Sequence, residues 1–322
     1  MLAYSNASTS KKRKPSSEAG SQPSRRERAR EAEKQPPNPL LNEARKVLAR
    51  KRFGQNFLIH QGMIDGIVRC MDLAPDDVLL EIGPGLGFLT QALLPKVTHL
   101  TAVELDRFMV GYLEKKFAPQ LAEQQLTLVQ QDILAFDLAR LGDTPFKVVG
   151  NLPYNITSGV LFKFAGELTD TEAPWRNKVR QLTFMVQREV GERITATPGG
   201  KAWGPLSIAL QYWFDCYLEL TVPPQCFQPA PKVTSVVVSL YPKQTPYPEV
   251  DLHLMNTLVR ASFQQRRKTL RNSLLHGTGL QEPALLQALE EAGIPPSQRP
   301  EQLSIDDFIR LTHAVKASLA HA

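Results

Sequence analysis

"DVLLEIGPGLGFLTQALL", residues 77–94, decides the fold class of this chain. Its apolar run from Val78 to Ile82 predicts a buried β-strand, and "FLTQALL" predicts a helix. Between them, Gly83, Gly85 and Gly87 permit a tight turn that lets a ligand lie against the backbone. A packing turn in any α/β protein has the same composition, so further residues must decide. The spacing G-x-G-x-G differs from the dinucleotide fingerprint G-x-G-x-x-G, which disfavours a pyrophosphate ligand.

The strand-then-helix pattern recurs along the chain on both sides of this turn. It predicts strands within 99–106, 126–134 and 146–151, helices within 62–73, 108–122 and 158–168, and further strands and helices within 180–242. Such alternation implies right-handed βαβ crossovers and a mostly parallel sheet covered on both faces. We therefore expect an α/β, Rossmann-like sheet of about seven strands.

A second, smaller unit is predicted after the Pro-rich segment that follows residue 240. The remainder has a helical pattern, with "SIDD" (304–307) as a capping box and Gly293 closing the preceding helix. We expect a tail over 1–40, the sheet domain over 41–243 and a smaller helical domain over 244–322.

Charge is distributed unevenly along the 322 residues. Residues 1–40 hold nine basic and four acidic residues of a chain with net charge +6, which leaves 29 basic and 28 acidic for the rest. The tail is rich in Ser and Pro, so we expect it to be disordered. Three interpretations of its "KKRK" stay open: a targeting signal, an electrostatic arm that binds nucleic acid, or a solvated run without function. The nearly neutral body must bind any nucleic acid through local patches.

Several classes of protein are disfavoured by composition. Cys70, Cys216 and Cys226 lack the spacing of a zinc site or disulfide framework, so inert thiols in a reducing compartment are expected. No apolar run approaches the ~18 residues of a membrane span. The tail has no apolar signal core, and its four Glu disfavour an organellar transit peptide. We expect a cytoplasmic, monomeric protein without metal.

Three polar residues end successive predicted strands: Glu104, Asp132 and Asn151. The carboxyl ends of parallel strands meet at the crevice where ligands bind. Glu104 is placed to accept hydrogen bonds from ribose hydroxyls. Asp132 can accept a hydrogen bond from an adenine amino group. A single such residue is more often a helix cap or a solvated loop residue, but three beside a glycine turn favour a nucleoside. An adenosine without phosphates suggests S-adenosylmethionine.

The run "NLPY" (151–154) places an amide, a stiff corner and an aromatic ring side by side. The Asn151 amide oxygen and the Leu152 carbonyl can each accept one N–H of an adenine amine, favouring a pyramidal nitrogen that attacks a methyl donor. Pro153 fixes the backbone, and Tyr154 can stack on the base. Neither a metal nor a general base is required. The alternative is a plain turn that closes a strand.

Seven ordered motifs resemble those of the KsgA-type ribosomal RNA adenine dimethyltransferases over roughly residues 50–315. They are "GQNFL" (54–58), "EIGPGLGFLT" (81–90), "VELD" (103–106), "NLPYNITS" (151–158), "MVQREVGERI" (185–194), "FQPAPKVTSVVV" (227–238) and "FQQRRKTLRNSL" (263–274). The resemblance implies a class I methyltransferase fold that uses S-adenosylmethionine. It implies transfer of four methyl groups in total to two adjacent adenines near the 3′ end of small-subunit rRNA, within an immature 30S particle.

The resemblance also assigns residues. It implies that Asn56 and Leu58 contact the cofactor together with Gly83, Gly85, Glu104, Asp132 and Asn151, and that Phe227 closes over the target base opposite Tyr154. The chain departs from the family with Gly159, Thr234 and Trp203, which puts only the shape of loops in doubt.

Basic residues near both ends of the body favour an RNA substrate. Arg260, Gln264, Arg267 and Arg271 follow steps of 4, 3 and 4, which predicts one helix face, with an adjoining apolar stripe of Val259, Phe263, Leu270 and Leu274. "RRKTLR", which includes Lys268, has no acidic residue to offset it. Arg52 belongs to a second cluster over 45–55. A solvated helix face is the alternative.

Three other functions remain open from the sequence. One is an RNA-binding assembly or transcription factor on a methyltransferase fold, which would lack the cofactor residues. Another is an adenine-N6 DNA methyltransferase, which Leu152 and the "RRKTLRN" segment disfavour. The third is a large-subunit rRNA methyltransferase that confers antibiotic resistance, which the C-terminal match disfavours.

Overall fold

The computed structural model describes residues 38–48, 56–170, 175–244, 247–265 and 268–320. Nine strands lie in these ranges: β1 (Phe57–Leu58), β2 (Val78–Ile82), β3 (His99–Glu104), β4 (Leu126–Gln130), β5 (Phe146–Asn151), β6 (Val179–Gln187), β7 (Phe214–Val222), β8 (Phe227–Gln228) and β9 (Ser235–Pro242). Seven of them form one sheet in the order β4-β3-β2-β5-β6-β9-β7, and β1 pairs with β8 in a separate ribbon.

The sheet is parallel from β4 to β6, and β9 runs antiparallel to both β6 and β7. The predicted α/β class and seven-stranded sheet are confirmed. The chain passes from β2 outward to β3 and β4, then returns to place β5 on the other side of β2. This reversal of strand order opens a crevice at the carboxyl ends of β2 and β5, where ligands bind in such sheets.

Twelve α-helices lie in the described ranges. They are α1 (Pro39–Leu48), α2 (Gln61–Cys70), α3 (Phe88–Leu93), α4 (Arg107–Lys116), α5 (Ala118–Ala122), α6 (Thr157–Ala165), α7 (Arg188–Ile194), α8 (Pro205–Trp213), α9 (Leu252–Phe263), α10 (Leu270–Thr278), α11 (Glu282–Glu291) and α12 (Ile305–Ala320). The single helix predicted within 108–122 is wrong. Two helices meet there at Phe117, because Pro119 occupies the start of α5.

Neighbouring strand residues point to opposite faces, and each face is buried under helices. Leu79 belongs to an apolar core with α1 to α4, whereas Leu80 belongs to a second core with α6 and α7. This explains why the strands have nearly continuous apolar sequences rather than strict alternation. Helices on both faces leave the carboxyl ends of the described parallel strands open to a ligand.

A third apolar core joins the C-terminal helices to α8. It contains Ile208 and Tyr212 of α8, and Trp203 donates its indole N–H to the Leu303 carbonyl at 2.8 Å. The predicted capping box is confirmed, since Asp307 N–H donates to Ser304 Oγ and Ser304 N–H donates to Asp307. Gly293 follows α11 with a φ of 68°, as predicted for a helix end.

The domain boundaries stay predictions, although two observations bear on them. The structure begins α1 at Pro39, so the predicted boundary at residue 40 falls within a helix. The third core also draws on residues before 244. The proposed tail otherwise lies outside the described residues.

The three thiols are free, with Cys226 buried and Cys70 and Cys216 half-buried. Burial raises the pKa of each thiol, to about 12 for Cys216, so all three are poor nucleophiles. Among the described residues, no cluster of His, Cys, Asp or Glu could hold a metal ion. No described helix is long and apolar enough to cross a membrane.

Candidate active site

A cavity of about 420 Å³ lies at the carboxyl ends of β2 to β5. This volume falls in the range of about 300–1,000 Å³ that small-molecule sites occupy. The cavity is lined by every predicted catalytic and cofactor-binding residue: Asn56, Leu58, Gly83, Gly85, Glu104, Asp132, Asn151, Leu152, Pro153, Tyr154 and Phe227. The structure thus brings these residues together, while the role of each stays a prediction.

The glycine turn after β2 presents bare backbone to the cavity. Gly83 has a φ of 63°, and a Cβ built there would have no neighbour within 4 Å, so a ligand can lie against it. Gly83 N–H donates to the Val103 carbonyl at 2.9 Å, and Gly85 N–H donates to Glu104 Oε2 at 3.1 Å. The turn is therefore fixed to the end of β3 before any ligand arrives.

Two carboxyl groups lie in the cavity wall almost without solvent exposure. Glu104 is 3% exposed and also accepts the Asp106 N–H at 2.9 Å. Glu81 is 1% exposed and accepts the Thr90 hydroxyl at 2.7 Å. Burial raises the pKa of Glu81 to about 8, and the Glu104 charge adds to that rise. Burial therefore favours the protonated form of Glu81.

Asp132 lies at the cavity edge but not at a strand end. The prediction that it ends a strand is wrong, because β4 ends at Gln130. Asp132 instead caps a short 3₁₀ turn by accepting the Leu134 N–H at 2.9 Å. Its exposed carboxylate still lines the cavity, so the cap does not exclude contact with a ligand.

The Asn151 side chain is oriented by backbone on the opposite wall. Its Nδ2 donates to the Asn56 carbonyl at 3.2 Å. Because a carbonyl only accepts, this contact fixes which end of the amide is nitrogen and leaves Oδ1 as an acceptor. The described residues offer no donor to Oδ1 or to the Leu152 carbonyl. Leu152 N–H donates to the Met185 carbonyl at 3.1 Å, which fixes the corner itself.

The two predicted aromatic residues are also held in place. The Tyr154 hydroxyl is 3.2 Å from Ser235 Oγ at the start of β9. Phe227 is 3% exposed and pairs with Leu58 in the ribbon of β1 and β8. The sequence analysis missed this ribbon, because two-residue strands have no periodicity. The ribbon joins a predicted cofactor residue to a predicted base-contacting residue.

The cavity contains residues that the sequence analysis did not single out. Glu81, Thr183, Met185 and Val237 line it, and Ser235 contacts Tyr154 from behind. Glu81 was visible within the "EIGPG" motif, but its burial depends on helix α3 and has no local signal. Thr183 and Val237 come from the bodies of β6 and β9, where the polar and apolar pattern predicts only packing.

The predicted RNA-binding residues are placed differently. The single helix predicted to carry Arg260, Gln264 and Arg271 is wrong, since α9 ends at Phe263 and α10 begins at Leu270. The apolar stripe does dock, with Val259, Leu270 and Leu274 buried and Phe263 packed against them. Arg52 and Arg267 lie outside the described residues.

The charges of residues 260–271, here called the basic segment, are not equivalent. Arg260 and Lys268 are exposed and have no acidic partner among the described residues. Arg271 forms an ion pair with Glu282 of α11, with its Nε 3.0 Å from Glu282 Oε1. The prediction of an unopposed basic run is therefore wrong at Arg271. Residues 252–281 still contain five basic and no acidic residues.

The sheet order and the nucleoside-sized cavity beside its glycine turn define a class I methyltransferase. The sequence profile of the family described as "Ribosomal RNA adenine dimethylase" matches residues 47–316. The chain belongs to this family and is an rRNA adenine dimethyltransferase.

Two similar bacterial proteins share one name. The "Ribosomal RNA small subunit methyltransferase A" of Chromobacterium violaceum is 44% identical over 269 residues, which cover 83% of this chain and 96% of that protein. The protein of the same name from Pseudomonas putida is 44% identical over 276 residues, covering 84% and 96%.

Solved structures agree on the fold. The 23S rRNA methyltransferase ErmE aligns with a TM-score of 0.64 at 26% identity, covering 81% of this chain and all of that chain. A dimethyladenosine transferase from Plasmodium falciparum aligns with a TM-score of 0.65 at 24% identity, covering 80% and 96%.

Proposed function

We propose that this chain transfers methyl groups from S-adenosylmethionine to N6 of two adjacent adenines near the 3′ end of small-subunit rRNA, giving N6,N6-dimethyladenines. The name and 44% identity of the bacterial relatives support the small subunit over the large subunit, since ErmE is only 26% identical. The oriented Asn151 amide beside the Leu152 carbonyl is the observation that carries the proposal.

The cavity fits the nucleoside part of S-adenosylmethionine. Gly83 leaves space against its backbone, as a close-lying ligand requires. The Glu104 carboxylate is suited to accept hydrogen bonds from ribose hydroxyls, and Asp132 is suited to accept one from an amino group. Asn56 and Leu58 would complete the wall. When bound, S-adenosylmethionine supplies a methyl group activated by a positively charged sulfur.

The residues at the corner after β5 act on the adenine amine. Asn151 Oδ1 and the Leu152 carbonyl would each accept one of its N–H groups, drawing the nitrogen lone pair out of conjugation with the ring. These hydrogen bonds strengthen as the nitrogen becomes positive, so they stabilise the transition state more than the bound substrate. The methylated amine then releases its proton to water, and no general base is needed.

The aromatic residues hold the flipped base. Stacking on Tyr154 is worth roughly 1–3 kcal/mol, and its ring face also favours the developing cation. The hydrogen bond to Ser235 limits rotation of the Tyr154 ring. Phe227 would cover the other face of the base. Bases of a single-stranded loop enter such a pocket at little unstacking cost.

Contact with the rest of the RNA falls to the basic segment. Arg260 and Lys268 are solvent-exposed cations suited to phosphate contacts. Arg52, Arg267 and Arg271 stay predicted RNA contacts, and the first two lie outside the described residues. We propose that the partner is the immature 30S particle, in which methylation also serves as a checkpoint of assembly.

The decisive experiment maps methylated adenines by mass spectrometry after incubation with unmodified ribosomal particles and S-adenosylmethionine. We expect two adjacent N6,N6-dimethyladenines near the 3′ end of the small-subunit rRNA. Isolated large subunits and duplex DNA are the matched alternative substrates. Methylation of either in preference to 30S particles would overturn the proposal, and calorimetric titration showing no heat with S-adenosylmethionine would leave only an RNA-binding role.

A further inference from the structure

Lys116, the last residue of α4, places its ammonium group against the glycine turn. Its Nζ donates to the Leu86 carbonyl and to Glu43 Oε1, at 2.9 Å in each case. The ammonium also lies 4.6 Å from the centre of the Phe88 ring. The side chain is only 15% exposed, so a carboxylate, a carbonyl and an aromatic face together replace most of its water.

Leu86 belongs to the turn that is predicted to receive the methyl donor. Neighbouring peptides of this turn are fixed by other groups, since Gly85 N–H donates to Glu104 and Gly87 N–H donates to the Pro84 carbonyl. Lys116 is the described donor to the Leu86 carbonyl. Without it, a carbonyl in a residue that is 1% exposed would lose its partner, which carries a free-energy penalty and frees the peptide to rotate.

Helix α4 supports the same turn by packing. Gly87 has a φ of 70°, and a Cβ there would lie 2.5 Å from the Phe117 ring. The turn is thus pressed against the end of α4 while Lys116 holds its carbonyl. Packing fixes the distance between turn and helix, and the hydrogen bond fixes the orientation of the peptide.

The N-terminal helix α1 supplies the counter-charge. Glu43 accepts hydrogen bonds from Lys116 and from the Tyr112 hydroxyl. Burial and the Glu43 carboxylate raise the pKa of Tyr112, so its hydroxyl stays protonated as a donor. Ala44 and Val47 of α1 pack in the same apolar core as Phe57 and Leu58 of the cavity wall. One ammonium therefore joins α1, α4 and the glycine turn.

We propose that Lys116 is a positioning residue for the methyl-donor site. It holds the Leu86 carbonyl so that the glycine turn keeps the shape that accepts the nucleoside, and Glu43 of α1 orients the ammonium for this task. The inference rests on the proposed function, because it assumes that the turn binds S-adenosylmethionine. It adds a residue far in sequence from the glycine motif to the determinants of donor affinity.

Two variants separate this role from that of a simple ion pair. Lys116→Met removes both the charge and the donor to Leu86, whereas Glu43→Gln breaks the ion pair but leaves the donor. Both are expected to lower the melting temperature of the ligand-free protein to a similar extent. Calorimetric titration with S-adenosylmethionine should show about tenfold weaker binding for Lys116→Met and about twofold for Glu43→Gln.

The outcomes are distinguishable. Equal losses of affinity in the two variants, or a Lys116→Met affinity within about twofold of wild type, would overturn the inference while leaving the proposed function intact. Absence of binding by the wild-type protein would refute the proposed function and this inference with it. If Lys116→Met does not fold, Lys116→Gln takes its place: it must bind more weakly than Glu43→Gln, and equal or tighter binding overturns the inference.

Discussion

The cavity and the basic segment use polar side chains in opposite ways. In the cavity, Glu104 and Glu81 are almost wholly buried, and Asn151 is already hydrogen bonded to the backbone of the opposite wall. In the basic segment, Arg260 and Lys268 stand in solvent, where their charges are screened by salt. The cavity groups contribute to catalysis through their fixed geometry, so we expect removal of one to lower the rate of methyl transfer strongly. The exposed cations contribute to RNA affinity through their number, so we expect removal of one to lower that affinity only slightly.

Asn151→Ala is expected to have the largest effect and is the strongest test of the role of the fixed cavity groups. We expect methyl transfer to fall by roughly 10²–10³, the range seen when one preorganised group is removed from a transition state. Affinity for S-adenosylmethionine should stay mostly intact, because the glycine turn and Glu104 are held by other contacts. Single-turnover transfer to 30S particles and calorimetry measure the two quantities separately.

Asn155 provides a matched control for this variant. It is an exposed amide that lines the same cavity four residues further on. Asn155→Ala should leave methyl transfer within about threefold of wild type, since no oriented acceptor is lost. If Asn151→Ala lowers donor affinity as much as it lowers transfer, the assigned role of Asn151 is wrong.

Removing the Tyr154 ring should have the next largest effect. Tyr154→Ala loses a stacking contact worth roughly 1–3 kcal/mol, which corresponds to about 5–150-fold in transfer. Tyr154→Phe keeps the ring and loses only the hydrogen bond to Ser235, so we expect a change of a few-fold. Equal effects of the two substitutions on transfer to 30S particles would argue that the hydroxyl, not the ring, is what matters.

The same contrast explains what the sequence could predict. The glycine turn, Glu104 and Asn151 follow strands whose local pattern is strong, and parallel topology then brings them together. Lys116 and Glu43 are 73 residues apart, so no local pattern joins them. The break between α9 and α10 was hidden because the basic residues keep helical spacing across it. Thr269, whose side chain caps α10 by accepting the Asn272 N–H, was the available signal.

Substitutions in the basic segment test the contribution of single exposed charges to RNA binding. Arg260→Gln and Lys268→Gln should each weaken RNA binding a few-fold and reduce the slope of log affinity against log salt by about 1. Arg271→Gln should have a smaller effect, because Glu282 already offsets that charge. Filter binding to small-subunit rRNA across a salt series measures all three. If Arg271→Gln lowers RNA affinity more than the other two substitutions, the ion pair between Arg271 and Glu282 breaks when RNA binds.

The smallest expected effect comes from deleting residues 1–37, which stops short of α1 at Pro39 and so spares the packed helix. The deleted segment contains nine basic and four acidic residues. If it acts as an electrostatic arm, RNA affinity should fall by a few-fold at low salt and hardly at all above about 0.3 M salt, where the screening length is short. Methyl transfer at saturating RNA should not change, because no predicted cavity residue is removed. An unchanged salt slope would show that the arm is passive and that the body binds RNA through the basic segment without it.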